Sequence, residues 1–310
     1  MRPGIAKLLN VKYPVVLGPM RLITLGKMAA DISNAGGFGI VAASGLSNDR
    51  LRNELEIAGK YTEKPFGVNI PVYRPNAYDA LEISIDAGVK TIYTSAGNPS
   101  KLMGRIKEAG LNVIHKVSSV KTAKKAEEAG ADAIVAMGFE AGGHVGREKI
   151  TTFCLIPKLA DILNIPVIAA GGIADARSLV AAFALGAEGV EIGTRFVATE
   201  ECPVPDFFKQ RIKDADLDDT LLIGKDTMPI RVLKNRVTAN MAGLDDKIPD
   251  EEGATSKTAC YVQTGGDMDS AVMPCGQVAG QIEHVEKISK ILDAMFKKAG
   301  FVSQRLEKLF

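Results

Sequence analysis

The chain has 310 residues, of which 46% are hydrophobic and 24% charged, and its formal net charge is +1 at pH 7. This composition is typical of a soluble globular protein with ample length for a core. The near-neutral charge gives no reason to expect nucleic acid or an anionic membrane as a partner. No segment approaches 18 uninterrupted apolar residues, so we expect no membrane span.

The cysteines and the N-terminal segment indicate where the protein is located and which kinds of site it lacks. Its four cysteines are widely scattered and include no CxxC pair, so we expect neither a disulfide framework nor a metal site. The N-terminal segment MRPGIAKLLNVKYP lacks the apolar region of a signal peptide. We therefore expect a cytoplasmic protein.

One local pattern recurs along the chain. A helical segment ends in Ala-Gly or Leu-Gly, and a β-branched run begins one or two residues later, as at Gly88, Gly110 and Gly130. Glycine suits the left-handed position that ends a helix, and the run suits a strand buried on both faces. Alternating strands and helices predict a parallel sheet with right-handed crossovers.

Eight strands are predicted in this way. They are Val15–Gly18, Gly39–Ala42, Phe66–Asn69, Thr91–Thr94, Val113–Val117, Ala133–Ala136, Val167–Ala170 and Val190–Gly193. Eight strands with intervening helices favour an α/β fold of the (β/α)8 TIM-barrel type. The alternative is an open doubly wound sheet, but no GxGxxG motif opens a helix after the first strand.

The repeating pattern stops after Phe196. The sequence from about Glu200 to Gly280 is irregular, and the stretch from Ala242 to Ala259 is polar, acidic and without periodicity. We predict a barrel over residues 1–199 and a smaller, mainly helical cap over 200–280 that contributes to substrate binding. We expect residues 281–310 to form a helix that packs back on the barrel, because apolar residues recur there at helical spacing.

Glycines follow the seventh and eighth predicted strands, whose loops are the usual phosphate site of a TIM barrel. These loops contain Gly171-Gly172 and Gly193-Thr194, where backbone N–H groups can face an anion and the Thr194 hydroxyl can add a donor. The alternative is that the glycines only make tight turns. Their occurrence at both strands favours a phosphate-bearing ligand.

Three polar side chains stand at the ends of other strands. His144 follows Gly142-Gly143 and is a candidate general acid–base, although a lone histidine can also be a purely structural group. Asn69 can both donate and accept, which suits the edge of a heteroaromatic ring, or it is a turn residue. Lys116 either places positive charge near such a ring or pairs with a neighbouring carboxylate.

Seven segments together resemble the nitronate monooxygenase (2-nitropropane dioxygenase) family of FMN-dependent barrels, and within it the enoyl-ACP reductase II branch. They are NAGGFGIV, KPFGVNI, TSAGNP, GFEAGGHVGREKITT, IPVIAAGGIADARS, ALGAEGVEIGTRF and AVMPCGQVAG. In order and spacing they cover the predicted barrel nearly from end to end.

The resemblance implies that FMN binds at the mouth of the barrel. The implied cofactor-binding residues are Gly18, Pro19, Met20, Asn69, Lys116, Gly142, Gly143, Gly171, Gly172, Gly193, Thr194 and Gln277. The resemblance further implies that His144 is catalytic: it removes the α-proton in nitronate oxidation, and in enoyl reductases this position faces the substrate pocket. Arg21 and Met273 are expected in that pocket.

The same resemblance leads to a functional expectation. We expect FMN-dependent reduction of an enoyl thioester by NAD(P)H, with acyl carrier protein or CoA as carrier, in a homodimer. One alternative is oxidation of alkyl nitronates by O₂ with His144 as base, and another is a flavin-binding protein without turnover. Arg21, Lys116, Met137 and Glu191 depart from the pattern of the relatives and leave the substrate open.

Overall fold

The structure is a computed structural model that describes residues 4–225, 228–243, 267–269 and 271–309. The polar stretch from Ala242 to Ala259 was singled out in the sequence. Its residues beyond 243 lie outside the described residues. Within these ranges no helix combines the length and apolar character needed to cross a membrane.

Eight parallel strands form the central barrel. They are β1 (Val15–Leu17), β2 (Gly39–Ala42), β3 (Phe66–Pro71), β4 (Thr91–Ser95), β5 (Asn112–Val117), β6 (Ala133–Met137), β8 (Val167–Ala170) and β9 (Gly189–Ile192). Their order is β1-β9-β8-β6-β5-β4-β3-β2, and a parallel bridge between Val16 and Phe38 brings the two edge strands together. The predicted TIM barrel is confirmed.

Helices connect the strands and cover the outside of the barrel. They are α1 (Ile5–Leu8), α2 (Gly26–Asn34), α3 (Asn48–Tyr61), α4 (Ala77–Asp86), α5 (Ser100–Glu108), α6 (Val120–Glu128), α7 (Thr152–Ile162), α8 (Ala176–Ala184) and α9 (Thr194–Val197). The helix–glycine–strand pattern recurs because glycine ends a helix in the left-handed region, as Gly130 does at φ +99°.

The region after the barrel contains a small sheet as well as helices. Strands β10 (Thr220–Ile223) and β11 (Ile230–Leu233) pair antiparallel, and β11 also pairs with β7 (Gly143–His144) from the loop after β6. The helices described here are α10 (Asp206–Lys213), α11 (Arg236–Ala242) and a 3₁₀ helix (Gln277–Gln281). The sequence analysis predicted helices here and not this sheet, which ties the cap region to the barrel loop that carries His144.

The last helix, α12 (Ile288–Glu307), packs against α8 and α2 on the outside of the barrel. Its buried face includes Ile291 and Met295, and the ring of Phe296 stacks on Tyr13 with 4.4 Å between centroids. The hydrophobic residues at helical spacing therefore bury apolar surface, as in other amphipathic helices. The boundaries at residues 199 and 280 stay predictions.

Three polar side chains meet inside the barrel. Lys116 Nζ lies 2.6 Å from Glu191 Oε1, and the Tyr93 hydroxyl donates a hydrogen bond to the same carboxylate. Burial and the Glu191 charge raise the pKa of Tyr93 well above its usual value, so the phenol keeps its proton. Lys116 thus pairs with a carboxylate, one of the two alternatives that its sequence position left open.

Removing one charge of this pair should destabilise the fold, because the other charge would stay buried without its partner. We expect Lys116→Met and Glu191→Gln each to lower the free energy of unfolding by about 3 kcal/mol. The double variant should lose clearly less than the sum, since neither charge is then left buried without its partner. Urea denaturation of the four proteins measures this coupling energy.

The exposed pair Lys234–Asp218, with atoms 4.0 Å apart and side chains 44% and 88% exposed, provides the control cycle. A solvated pair of this kind should couple by less than about 1 kcal/mol. Additive losses for Lys116 and Glu191 would contradict the proposed charge pairing.

Candidate active site

A cavity of about 680 Å³ opens at the carboxyl ends of the barrel strands. Volumes of this size are typical of cofactor and small-molecule sites. The cavity brings together most of the residues that the sequence singled out. They are Gly18, Pro19, Met20, Arg21, Asn69, Lys116, Gly142, Gly143, His144, Gly171, Gly172, Gly193 and Thr194.

The turn after β1 places Met20 and Arg21 at the cavity. The Thr24 side chain accepts a hydrogen bond from the Met20 N–H at 3.0 Å, which fixes the turn. Arg21 runs past Gly45, where an added Cβ would lie 2.6 Å from Arg21 Nε. Gly45 therefore leaves the space that the guanidinium side chain occupies.

Backbone N–H groups after β8 and β9 form an open cradle. Gly172 has φ +75°, and a Cβ there would meet only Glu140 Cβ, at 3.9 Å. A Cβ on Gly193 would meet only Met20 Sδ, at 3.8 Å. Within the described part of the chain, the N–H groups of Gly172, Gly193 and Thr194 donate no hydrogen bond. Unused N–H groups that line a cavity can bind an anion, as the sequence predicted for these loops.

The start of α8 does not contribute an open helix end to this cradle. The Asp175 carboxylate accepts hydrogen bonds from the N–H groups of Arg177 (2.9 Å) and Ser178 (3.1 Å). Asp175 is thus the N-cap of the helix and satisfies its first donors. The phosphate donors that the structure offers are the N–H groups of Gly172 and Gly193 and that of Thr194, the first residue of α9.

Asn69 uses its amide nitrogen inside the protein. Nδ2 donates to the Tyr93 carbonyl at 3.1 Å and to Ser95 Oγ at 3.0 Å, so the side chain bridges β3 and β4. Its carbonyl oxygen accepts no hydrogen bond from the described residues. Asn69 can therefore offer an acceptor, but not a donor, to a ring at the mouth of the barrel.

His144 is held by strand pairing and not by a free loop. It lies opposite Ile230 of β11, and the next N–H, from Val145, donates to the Pro229 carbonyl at 3.0 Å. Burial, together with the positive charges of Arg21 and Lys116, lowers the pKa of His144 to about 4. At neutral pH the imidazole is uncharged, so it can accept a proton from a ligand.

Two glycines bring the loop after β6 against the segment before the 3₁₀ helix. A Cβ on Gly142 would lie 2.6 Å from the carbonyl carbon of Cys275, and one on Gly276 would lie 2.8 Å from the Glu140 carbonyl oxygen. The Gly276 N–H donates to Thr194 Oγ1 at 2.9 Å. Thr194 therefore uses its hydroxyl oxygen to tie this segment to β9, in addition to lining the cavity.

Two predicted residues do not line the cavity. Met273 is fully buried in the core, and Gln277 begins the 3₁₀ helix without reaching the cavity. Residues on the opposite face line it instead: Val272, Pro274, Gly276 and Val278. The segment is extended, since Leu233 N–H donates to the Met273 carbonyl and Pro274 bridges Val232, so side chains alternate between core and cavity.

Glu140, to which the sequence assigned no role, also lines the cavity. Its carboxylate accepts hydrogen bonds from the Thr152 N–H (2.9 Å) and hydroxyl (3.0 Å), and its carbonyl accepts from Gln277 N–H. Glu140 thus holds together α7, the loop after β6 and the 3₁₀ helix. The sequence signal that could have identified Glu140 is its position in GFEAGGHVG, four residues before His144.

Comparison with known proteins agrees with this geometry. The nitronate monooxygenase family model matches residues 2–297. A Mycobacterium tuberculosis protein named (3aS,4S,5R,7aS)-5-hydroxy-7a-methyl-1-oxo-octahydro-1H-indene-4-carboxyl-CoA dehydrogenase is 37% identical over 245 residues, covering 78% of this chain and 68% of that protein. A probable nitronate monooxygenase of Staphylococcus saprophyticus is 34% identical over 289 residues, covering 78% of this chain and 81% of that protein.

Among solved structures, FabK from Thermotoga maritima superposes with a TM-score of 0.93 at 36% identity, covering 100% of both chains. The family match spans the barrel and the described cap elements alike. The chain therefore belongs to the nitronate monooxygenase family and is an oxidoreductase.

Proposed function

We propose that the protein is an FMN-dependent reductase that uses NAD(P)H to reduce the double bond of an enoyl thioester. The observation that carries this proposal is the cavity, in which an amide cradle suited to phosphate lies in one space with a neutral histidine and two cations. The full-length similarity to FabK and the CoA ester named for the M. tuberculosis relative support a thioester substrate.

The residues at the barrel mouth fit FMN. The N–H groups of Gly172, Gly193 and Thr194 would hold its phosphate, and Asn69 Oδ1 would accept a hydrogen bond from its ring. Bound there, FMN would supply hydride chemistry that no side chain of the protein can provide.

The side chains around His144 suit a carbonyl that gains negative charge. Arg21 and Lys116 both act on His144 electrostatically, so both place positive charge on this side of the cavity. Fixed cations stabilise an enolate-like oxygen more than a neutral carbonyl, which is the requirement for lowering a barrier. The neutral His144 can bind and orient a water molecule that donates a proton to the α-carbon.

Nitronate oxidation is a second candidate, and one observation favours it. Burial and two cations keep His144 neutral, so its imidazole is free to accept the α-proton of a nitroalkane and yield the nitronate that is then oxidised. The probable nitronate monooxygenase of S. saprophyticus is consistent with this activity.

Anaerobic stopped-flow absorbance of the flavin-loaded protein separates the candidates. We expect NADH or NADPH to bleach the flavin and crotonyl-CoA to reoxidise it in a second mixing step. Bleaching by propyl nitronate without any response to NAD(P)H would reject the reductase in favour of nitronate oxidation. A flavin that responds to none of these compounds would indicate a binding protein without turnover.

The phosphate cradle can be tested with a matched pair of glycine variants. Gly172 and Gly88 have nearly the same φ, +75° and +74°, but only Gly172 lines the cavity. Gly172→Ala should weaken FMN binding by about ten-fold or more, equivalent to about 1.4 kcal/mol, whereas Gly88→Ala carries the same backbone strain and should bind FMN normally. Reconstitution of the apoprotein, followed by flavin fluorescence, gives both affinities, and equal losses would contradict the cradle.

If His144 acts as proposed, its replacement should lower the turnover rate, and the wild type should show a defined pH dependence. His144→Asn should keep FMN and lose turnover by a factor of about 10² to 10⁴. Because burial and two cations favour the neutral imidazole, kcat/KM of the wild type should stay constant as pH falls from 7 to 5, and decline only as pH approaches 4. The exposed His284→Asn provides the control variant. An acid limb with its midpoint near pH 6.5, or unchanged turnover in His144→Asn, would remove this role.

A further inference from the structure

The cavity has a second charged region, at the loops that follow β3 and β4 and at helix α6, which follows β5. Tyr73, Arg74, Asn98 and Lys125 line it there. Tyr73 is 44% exposed, Arg74 is half-buried and Lys125 is exposed. Within the described part of the chain, the side chains of Arg74 and Lys125 form no ion pair and no hydrogen bond. We call Tyr73, Arg74 and Lys125 the cationic rim.

Tyr73 and Arg74 of the cationic rim, which follow β3, lie across the barrel from the amide cradle, whereas Lys125 follows β5, two places from β8. In the closed order β1-β9-β8-β6-β5-β4-β3-β2, strand β3 is four places from β8, and β4 is four places from β9. In an eight-stranded ring, four places is the opposite side. One continuous cavity thus offers anion-binding groups at two opposite ends, and one phosphate-bearing ligand at the cradle leaves the rim available.

Among the described residues, no carboxylate that lines the cavity neutralises the rim. Glu191 is bound by Lys116 and Tyr93, and Glu140 is bound by Thr152. Two uncompensated cations at the edge of a cavity favour a ligand with several negative charges, and arginine binds phosphate oxygens particularly well. The exposed ring of Tyr73 beside them adds a flat apolar surface on which a base can stack.

We propose that the cationic rim binds the adenosine diphosphate part of the second substrate, with Tyr73 against adenine and Arg74 and Lys125 on the diphosphate. This inference rests on the proposed function, because NAD(P)H carries that group and the enoyl thioester carries it when CoA is the carrier. CoA thioesters and NAD(P)H each join adenosine diphosphate to their reactive end. The rim would hold the nucleotide end at the entrance and leave the reactive end to extend toward His144.

ADP is the probe that tests the site apart from turnover. Isothermal titration calorimetry of the FMN-loaded protein should show ADP binding that weakens at least ten-fold in R74Q/K125Q and also in Tyr73→Ala. The control R52Q/K124Q removes the same charge from exposed positions on α3 and α6 that do not line the cavity, and it should bind ADP like the wild type. ADP affinity should also fall less steeply with salt in R74Q/K125Q, because two fewer cations contribute.

Truncated substrates identify which molecule supplies the group. If CoA is the ligand, the KM advantage of crotonyl-CoA over crotonyl-pantetheine should shrink at least ten-fold in R74Q/K125Q. If the ligand is NAD(P)H, the advantage of NADH over reduced nicotinamide mononucleotide should shrink instead. Either result supports the site and names its ligand.

Three results would overturn the inference. They are an absence of ADP binding to the wild type, equal ADP affinity in wild type and R74Q/K125Q, and an equal loss in the control R52Q/K124Q. A protein that binds ADP at the rim but reduces no enoyl thioester would instead contradict the proposed function and leave the nucleotide site standing.

Discussion

The site depends on a close contact between two glycines, Gly142 after β6 and Gly276 before the 3₁₀ helix. Any side chain at either position would collide with backbone, so the two segments can approach only because both lack a Cβ. The contact is secured by the Gly276 hydrogen bond to Thr194 and by pairing of β7 with β11. His144 and the amide cradle are thereby held in one rigid frame, which suits a reaction that needs fixed geometry.

Three charged side chains inside this frame, Glu191, Lys116 and Arg21, determine the electrostatic environment of His144. Glu191 compensates Lys116 within the barrel, while Lys116 and Arg21 still act on His144 and help to keep it neutral. A neutral histidine beside fixed cations is suited to a substrate that gains negative charge, either an enolate or a nitronate. The choice between these two substrates depends on what the rest of the cavity binds, and the nucleotide that we propose for the cationic rim is part of CoA thioesters and NAD(P)H but not of simple nitronates.

Much of the barrel could be predicted from sequence, because each strand is a short apolar run that ends in glycine, and the site residues follow those ends. The features that were not predicted depend on contacts between segments that are distant in the sequence. Strand β7 is only Gly143–His144, with no apolar alternation, and its partner lies far along the chain. The hairpin of β10 and β11 did carry a signal, two apolar runs in TLLIGKDTMPIRVL, that the irregular surroundings obscured. Met273 was chosen in place of its neighbours because the face of an extended segment is set by its pairing partner, and Gln277 because the 3₁₀ helix that it begins was not predicted.

A crystal structure of the FMN-loaded protein is the most direct test of this site. We expect the phosphate to accept hydrogen bonds from the N–H groups of Gly172, Gly193 and Thr194, with the flavin ring against Asn69 and His144. A phosphate bound at Arg74 and Lys125 instead, or a ring out of reach of His144, would contradict this expectation.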